Sequence, residues 1–273
     1  MTAFFSALAY ACPLILCSLG ALFSEYAGCL ALFLDGLVSF SAFLFYTFTV
    51  LTGSPLAGAL LACLGAVLIT LGFSAVVEAG RANRFIAAIA LNLLFSALTS
   101  CISSLVFGTR GVLAADLFNF SGGSGQTAAR AVALCITAAF AALAVLFLKY
   151  SRAGLYLRIT GSDSDVLKAK GVNPGQLRTL SWSLAALYAS LAGILLTLRL
   201  SSFVPNISSG RGWMALAAVF LGKKKPLRIV AAVIIFCMAD IFGANIQNYL
   251  PGLPTSLLLS LPYLVSLLLI LVK

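Results

Sequence analysis

Seven acidic side chains and no histidine are all that this 273-residue chain offers to acid–base chemistry. Two of the carboxylates, Glu25 and Asp35, stand ten residues apart in an otherwise apolar stretch, which invites comparison with a general acid/base pair. On a continuous helix of 3.6 residues per turn the two would not share a face, and Gly28 between them suggests a break. The absence of His excludes a Ser-His-Asp triad, histidine-ligated haem and a histidine proton relay. The seven cysteines (Cys12, Cys17, Cys29, Cys63, Cys101, Cys135, Cys237) lie in or beside apolar runs and none shows C-x-x-C spacing. They read as small packing residues, not as a metal set. There is no G-x-x-x-x-G-K-[ST] loop, so the chain does not hydrolyse ATP by that route. The residue types point away from bond chemistry: no enzyme, no cofactor, no metal.

The elements that hold these residues are membrane-grade. Hydrophobic residues form 62% of the chain and charged residues 9%, with a mean hydropathy of +1.12, which places it among all-α, polytopic helical membrane proteins. The net charge of +10 does not indicate nucleic acid, because the bases sit in loops between apolar runs and so describe orientation. Successive spans are expected at Thr2–Phe23, Cys29–Val50, Leu56–Val77, Phe85–Phe107, Ala131–Leu148, Thr179–Leu198, Ile229–Gln247 and Ser256–Val272. The first lacks a basic n-region, so it reads as a span and not as a cleaved signal. Trp213–Leu221 is too short to cross alone, yet Lys223-Lys224-Lys225-Pro226-Leu227-Arg228 behind it is strongly cytoplasmic. The chain must therefore cross between Leu200 and Gly222, part extended near Pro205 and part helical after Ser209. Such a broken crossing needs protein or a cavity beside its freed backbone. The count is nine crossings in a single domain over residues 1–273, with the N-terminus outside and the C-terminus inside.

Two places follow as candidate sites. Asp35, Asn92 and the broken stretch Ser209–Trp213 are polar or irregular at membrane depth and mark a solute path; hydrogen bonding between helices is the plainer role for Asn92, as for Asp240, Asn245 and Gln247. The second place is the loop Lys149–Arg178, where six bases outweigh two acids. Its centre, Ser162–Gly171, reads as a short capped helix. Ser162 or Asp163 supplies the cap, Asp163 and Asp165 suit the positive N-terminal end, Lys168 the other end, and Gly171 the stop, with Gly161 just before. It is either a docking helix for a soluble partner or a solvated basic connector.

Several stretches together carry a family resemblance. Glu25-Tyr26-Ala27-Gly28-Cys29-Leu30-Ala31-Leu32-Phe33-Leu34-Asp35-Gly36 is similar to the "ERAGVLNIGLEG" stretch of permeases in the branched-chain amino acid/ribose type of ABC importers. Matches follow in the family's order: Arg81-Ala82-Asn83, Leu157-Arg158-Ile159-Thr160-Gly161 with Ala169-Lys170-Gly171-Val172-Asn173, Ser190–Leu195, Gly210–Gly222 and Leu261-Pro262-Tyr263-Leu264. They span nearly the whole chain, and their order and spacing are what is specific. The chain departs from the family's usual Asn-Ile at Ala31-Leu32 and from its Glu at Asp35. The resemblance implies two permease chains (identical or homologous) around one path in the bacterial inner membrane. It also implies ABC ATPase subunits beneath, docked on the 149–178 coupling loop, and an extracytoplasmic solute-binding protein above. It is closest to the branch that handles nucleosides, with riboflavin-like rings as a further expectation and a simple sugar as alternative. An ion-coupled secondary transporter, with Glu25, Asp35 and Asp240 as coupling groups, is the reading outside that family.

Overall fold

The structure is a computed structural model that describes residues 2–114, 123–249 and 260–271. The sequence also predicts a long polar outer loop over Gly108–Arg130 and a turn at Pro251–Pro254; residues 115–122 of the loop and the whole of the turn lie outside the described residues, as does the side chain of Gln247. The chain is helical almost throughout: α1 (Thr2–Tyr26), α2 (Leu34–Thr52), α3 (Pro55–Ala79), α4 (Arg84–Phe107), α5 (Gly123–Tyr150), α6 (Arg152–Ser162), α7 (Ser164–Ala169), α8 (Pro174–Leu200), α9 (Arg211–Leu221), α10 (Pro226–Tyr249) and α11 (Leu261–Leu271). Two short strands, β1 (Leu113–Ala114) and β2 (Ser202–Phe203), pair antiparallel with Leu113 opposite Phe203. Among the described residues α1, α2, α3, α4, α5, α8 and α10 are long and apolar enough to cross a membrane.

The bundle has a centre and a rim. Helices α1, α2 and α8 are mostly buried, whereas α3, α4 and α5 keep most of their surface outside. Leu56, Leu60, Leu64 and Leu68 form one exposed apolar row on α3, as a lipid-facing helix requires. The central helices approach through small residues, the means available when lipid offers no hydrophobic drive to pack. A Cβ at Gly193 of α8 would lie 2.4 Å from the Val38 carbonyl of α2, and one at Gly20 of α1 would lie 3.0 Å from the Ala185 carbonyl.

The three basic loops, Glu78–Arg84, Lys149–Arg178 and Lys223–Arg228, gather at one end of this bundle. Glu78, at the end of α3, pairs with Arg84 and lies 3.9 Å from Arg178, while Glu25 pairs with Lys224 at 3.0 Å. The positive-inside bias predicts that this end is cytoplasmic, and the β1–β2 pairing lies at the other. A cysteine at Ser164 is therefore expected to label only from the cytoplasmic side, and one at Thr109 only from outside, in a cysteine-depleted background. Labelling of both by an impermeant maleimide from outside would overturn this orientation.

Two differences from the sequence expectations stand out. The second apolar run is not helical from Cys29: residues 27–33 form turns and coil, and α2 starts only at Leu34. The cause is local, since Gly28 takes a left-handed φ of 69° that ends α1. The second is α6, eleven helical residues where only a basic loop was expected. Ser151 caps it by accepting from the Ala153 N–H, and Gly154 lets it fold back against the end of α5. Its inner face carries Gly154, Leu157 and Thr160.

Candidate functional site

The late break has the form expected of it. Beyond α8, residues 201–210 are non-helical, with Ser201, Asn206, Ser209 and Gly210 all at positive φ, and the short apolar helix α9 starts at Arg211. Its partner is the early break. Residues 27–33 bring the chain to the depth of Trp182, whose Nε1 donates to the Cys29 carbonyl at 3.1 Å. Trp182 lies about 12 Å along α8 from its cytoplasmic start. At that level α2 begins, so each broken crossing presents a helix N-terminus to the other inside the membrane.

Asp35 joins them. Its Oδ1 accepts from Ser208 Oγ at 2.6 Å and from the Gly212 N–H at 3.1 Å. One carboxylate thus caps the start of α9 from the first turn of α2, where the positive ends of two helices meet. The approach is possible because Gly212 has no side chain: a Cβ there would lie 2.3 Å from the Asp35 nitrogen. Asn92 of α4 holds the other side, its Oδ1 accepting from the Gly36 N–H at 2.6 Å. Ser209 and Trp213, each next to a residue bonded to Asp35, are exposed, Trp213 by 44%. Of the four residues read from sequence as a solute path, Asp35 and Asn92 meet at one junction, and Ser209 and Trp213 flank it in the chain. Glu25 is not part of it. It faces Lys224 at the cytoplasmic end, so the two carboxylates form no acid/base pair.

Sequence reasoning missed the surroundings. Arg211 fastens the irregular arm, its Nη1 reaching the carbonyls of Ile207 (3.3 Å) and Ser208 (3.2 Å) and its Nη2 the Tyr10 hydroxyl (3.2 Å). Arg199 stacks over the same Tyr10 ring at 4.0 Å. Nothing in the sequence marks Tyr10. From Asn92 a polar stripe runs along α4 through Ser96 and Ser100 to Ser104. Beside it an open groove of about 340 Å³ is lined by Ala97, Ser100, Cys101, Ser104, Leu105 and Arg110. Ser96 and Ser100 donate to carbonyls one turn back, those of Asn92 and Ser96, and keep their oxygens as acceptors.

The basic stretch Lys149–Arg178 forms a second small unit at the end where the basic loops gather. Of the two proposed caps for α7, Asp163 serves, its side chain accepting from the Asp165 and Val166 N–H groups. Ser162 instead closes α6 by donating back to the Arg158 carbonyl. Lys168 lies 2.7 Å from Asp165 and holds that carboxyl below its ordinary range. Gly171 follows at φ 74° with nothing within 4 Å of an added Cβ, a left-handed stop. Gly161 has a different use. It is helical, and a Cβ there would lie 2.2 Å from the Tyr26 carbonyl.

The model for "Branched-chain amino acid transport system / permease component" matches residues 3–272. The chain is 27% identical to the guanosine ABC transporter permease protein NupQ of Bacillus subtilis, over 96% of this chain and 88% of that one. It is 27% identical to the nucleoside ABC transporter permease protein NupC of Lactococcus lactis, over 94% and 87%. The ribose import permease protein RbsC of Escherichia coli is 31% identical, but over 54% of this chain and 46% of its own length. The solved structure of PsaBC from Streptococcus pneumoniae in complex with Fab shares the fold, with a TM-score of 0.56 at 15% identity over 98% of this chain and 95% of that one. Broken crossings, a polar junction at membrane depth and a match over almost every residue agree: the chain belongs to the branched-chain amino acid transport system permease family, and is a multi-pass ABC transporter permease of the cytoplasmic membrane.

Proposed function

We propose that the chain is the membrane subunit of an ATP-driven importer and passes a nucleoside. The observation that carries this is the Asp35 junction, polar groups gathered inside a membrane bundle, with the hydroxyls of Ser96 and Ser100 on an exposed surface of α4 that lipid does not solvate. A second permease chain, identical or homologous, would close that surface into a path. Trp213 and the serine hydroxyls offer a ring face and acceptors, which suit a heterocycle carrying a sugar. Among relatives matched over most of their length, two are named for guanosine or nucleosides; this favours a nucleoside over a riboflavin-like ring. The ribose and glucose permeases among the relatives support a simple sugar as the second reading. On this reading α9 and α11 cross as well as the seven long helices, for the nine crossings expected from sequence.

Partners follow from the same reading. ATPase subunits sit under α6 and α7, a binding protein delivers solute from outside, and nucleotide-driven rearrangement changes which side the path faces. The test is uptake of labelled guanosine, ribose and riboflavin into proteoliposomes holding the complete complex. Saturable guanosine uptake that needs ATP and survives an uncoupler is expected. Uptake of ribose or riboflavin alone would replace the solute. Uptake that ignores ATP but collapses with an uncoupler would replace the mechanism by ion coupling.

Gly171→Val tests the coupling loop. A β-branched residue at φ 74° is strained whatever the space around it, so the stop of α7 is expected to deform. The assembled complex should bind loaded binding protein yet lose its stimulation of ATP hydrolysis. Unchanged stimulation would return the loop to a solvated connector.

A further inference from the structure

The two broken crossings touch twice. Their upper contact is the Asp35 junction. The lower one lies at the cytoplasmic end, where the Tyr26 hydroxyl donates to the Lys224 carbonyl at 2.6 Å and Lys224 Nζ meets Glu25 at 3.0 Å. Residues 25–35 form one side of this closed frame and residues 211–224 the other. Lys223 and Lys224 both sit at positive φ where the chain leaves α9, which aims the Lys224 carbonyl at Tyr26.

The last turn of α6 rests on the lower contact. A Cβ on Gly161 would lie 2.9 Å from the Gly28 nitrogen as well as against the Tyr26 carbonyl, and one on Gly28 would lie 3.1 Å from the Gly161 Cα. Backbone therefore meets backbone with no side chain between. One turn earlier, the Arg158 guanidinium covers the Tyr26 ring at 5.2 Å. Side chains at an interface absorb small displacements by changing rotamer, but two close-packed backbones do not.

We propose that the Tyr26–Gly28 turn is the positioning element through which the coupling segment moves the solute junction. Displacing α6 shifts this turn, the turn carries residues 29–35, and Asp35 with the Tyr26–Lys224 bond takes α9 along. The frame then tilts as one body and the polar junction changes the side it faces. This rests on reading residues 149–178 as the coupling loop, and it assigns a role to Tyr26, Gly28 and Gly161 distinct from docking the ATPase.

The readout is solute moved per ATP hydrolysed in the reconstituted complex, a ratio that loss of folded complex leaves alone because both rates fall together. Tyr26→Phe keeps the ring under Arg158 and deletes only the bond to Lys224; it is expected to lower the ratio several-fold. Gly161→Ala wedges the backbone contact and is expected to lower it tenfold or more. Should that variant fail to assemble, Tyr26→Phe still decides. Tyr26→Phe and every assembled Gly161→Ala complex at the wild-type ratio, with Gly171→Val uncoupled, would overturn this proposal and keep the coupling loop. A wild-type ratio in all three would remove the coupling loop itself.

Discussion

Gly212→Ala is expected to abolish uptake. The added methyl carbon would sit 2.3 Å from the Asp35 nitrogen, 2.6 Å from its Cα and 2.7 Å from its Cβ. None of these atoms belongs to a flexible side-chain tip, so α2 and α9 must separate. Overpacking of this kind costs roughly 1–3 kcal/mol and sometimes more, which outweighs the helix propensity of up to about 1 kcal/mol that alanine offers over glycine. Separation also breaks the Asp35 cap on α9. Gly72→Ala is the matched control, since Gly72 lies on the outer surface of α3 with nothing within 4 Å. Thermal unfolding in detergent and solute uptake should show Gly212→Ala destabilised and inactive, and Gly72→Ala equal to wild type or slightly firmer. Normal uptake by Gly212→Ala would mean that the two helix starts need not touch.

Asp35→Leu carries the second large effect. It strips the acceptor from Ser208 Oγ and from the Gly212 N–H together. Each donor left unpaired away from water costs about 1–3 kcal/mol. Asp35→Asn keeps one oxygen able to accept from both and loses the charge that faces the α9 start, a contribution of up to about 2 kcal/mol in a partly buried setting. Uptake by assembled complexes is expected to fall from wild type to Asn to Leu, with the Leu variant near background. Wild-type kinetics in the Leu variant would make Asp35 dispensable to the path.

The class of fold and the gathering of the basic loops at one end were legible because lipid imposes a composition on spans and charge keeps the loops to one side. The late break was legible too: Trp213–Leu221 is simply too short, and the lysines behind it fix where the chain must emerge. The early break was only half legible. Gly28 announces it, yet the apolar residues 29–34 read equally well as helix or buried coil, since hydropathy does not distinguish them. Helix α6 was hidden for the opposite reason. Its bases make it resemble a solvated loop, and only the run Gly154, Leu157, Gly161 hints at one closely packed face. Asp35 and Asn92 declared themselves as polar groups in apolar surroundings. Their partners Gly36, Ser208 and Gly212 did not, because a glycine chosen for contact looks like any other until the contact is seen.

The leucine row on α3 also ties the protein to its bilayer. Twenty-five residues at 1.5 Å each make a rod of about 37 Å, against a hydrocarbon core of about 30 Å. An unbroken helix of that length must lean, or stretch the lipid around it, at a cost of fractions of a kcal/mol per Å of mismatch. The two interrupted crossings have no such fixed length, because their coiled arms can lengthen or shorten by a few torsions. Changes in acyl-chain length are thus felt first by the continuous helices, while the junction between the two interrupted crossings is buffered from them. Such a protein can inhabit membranes of differing thickness without retuning its centre.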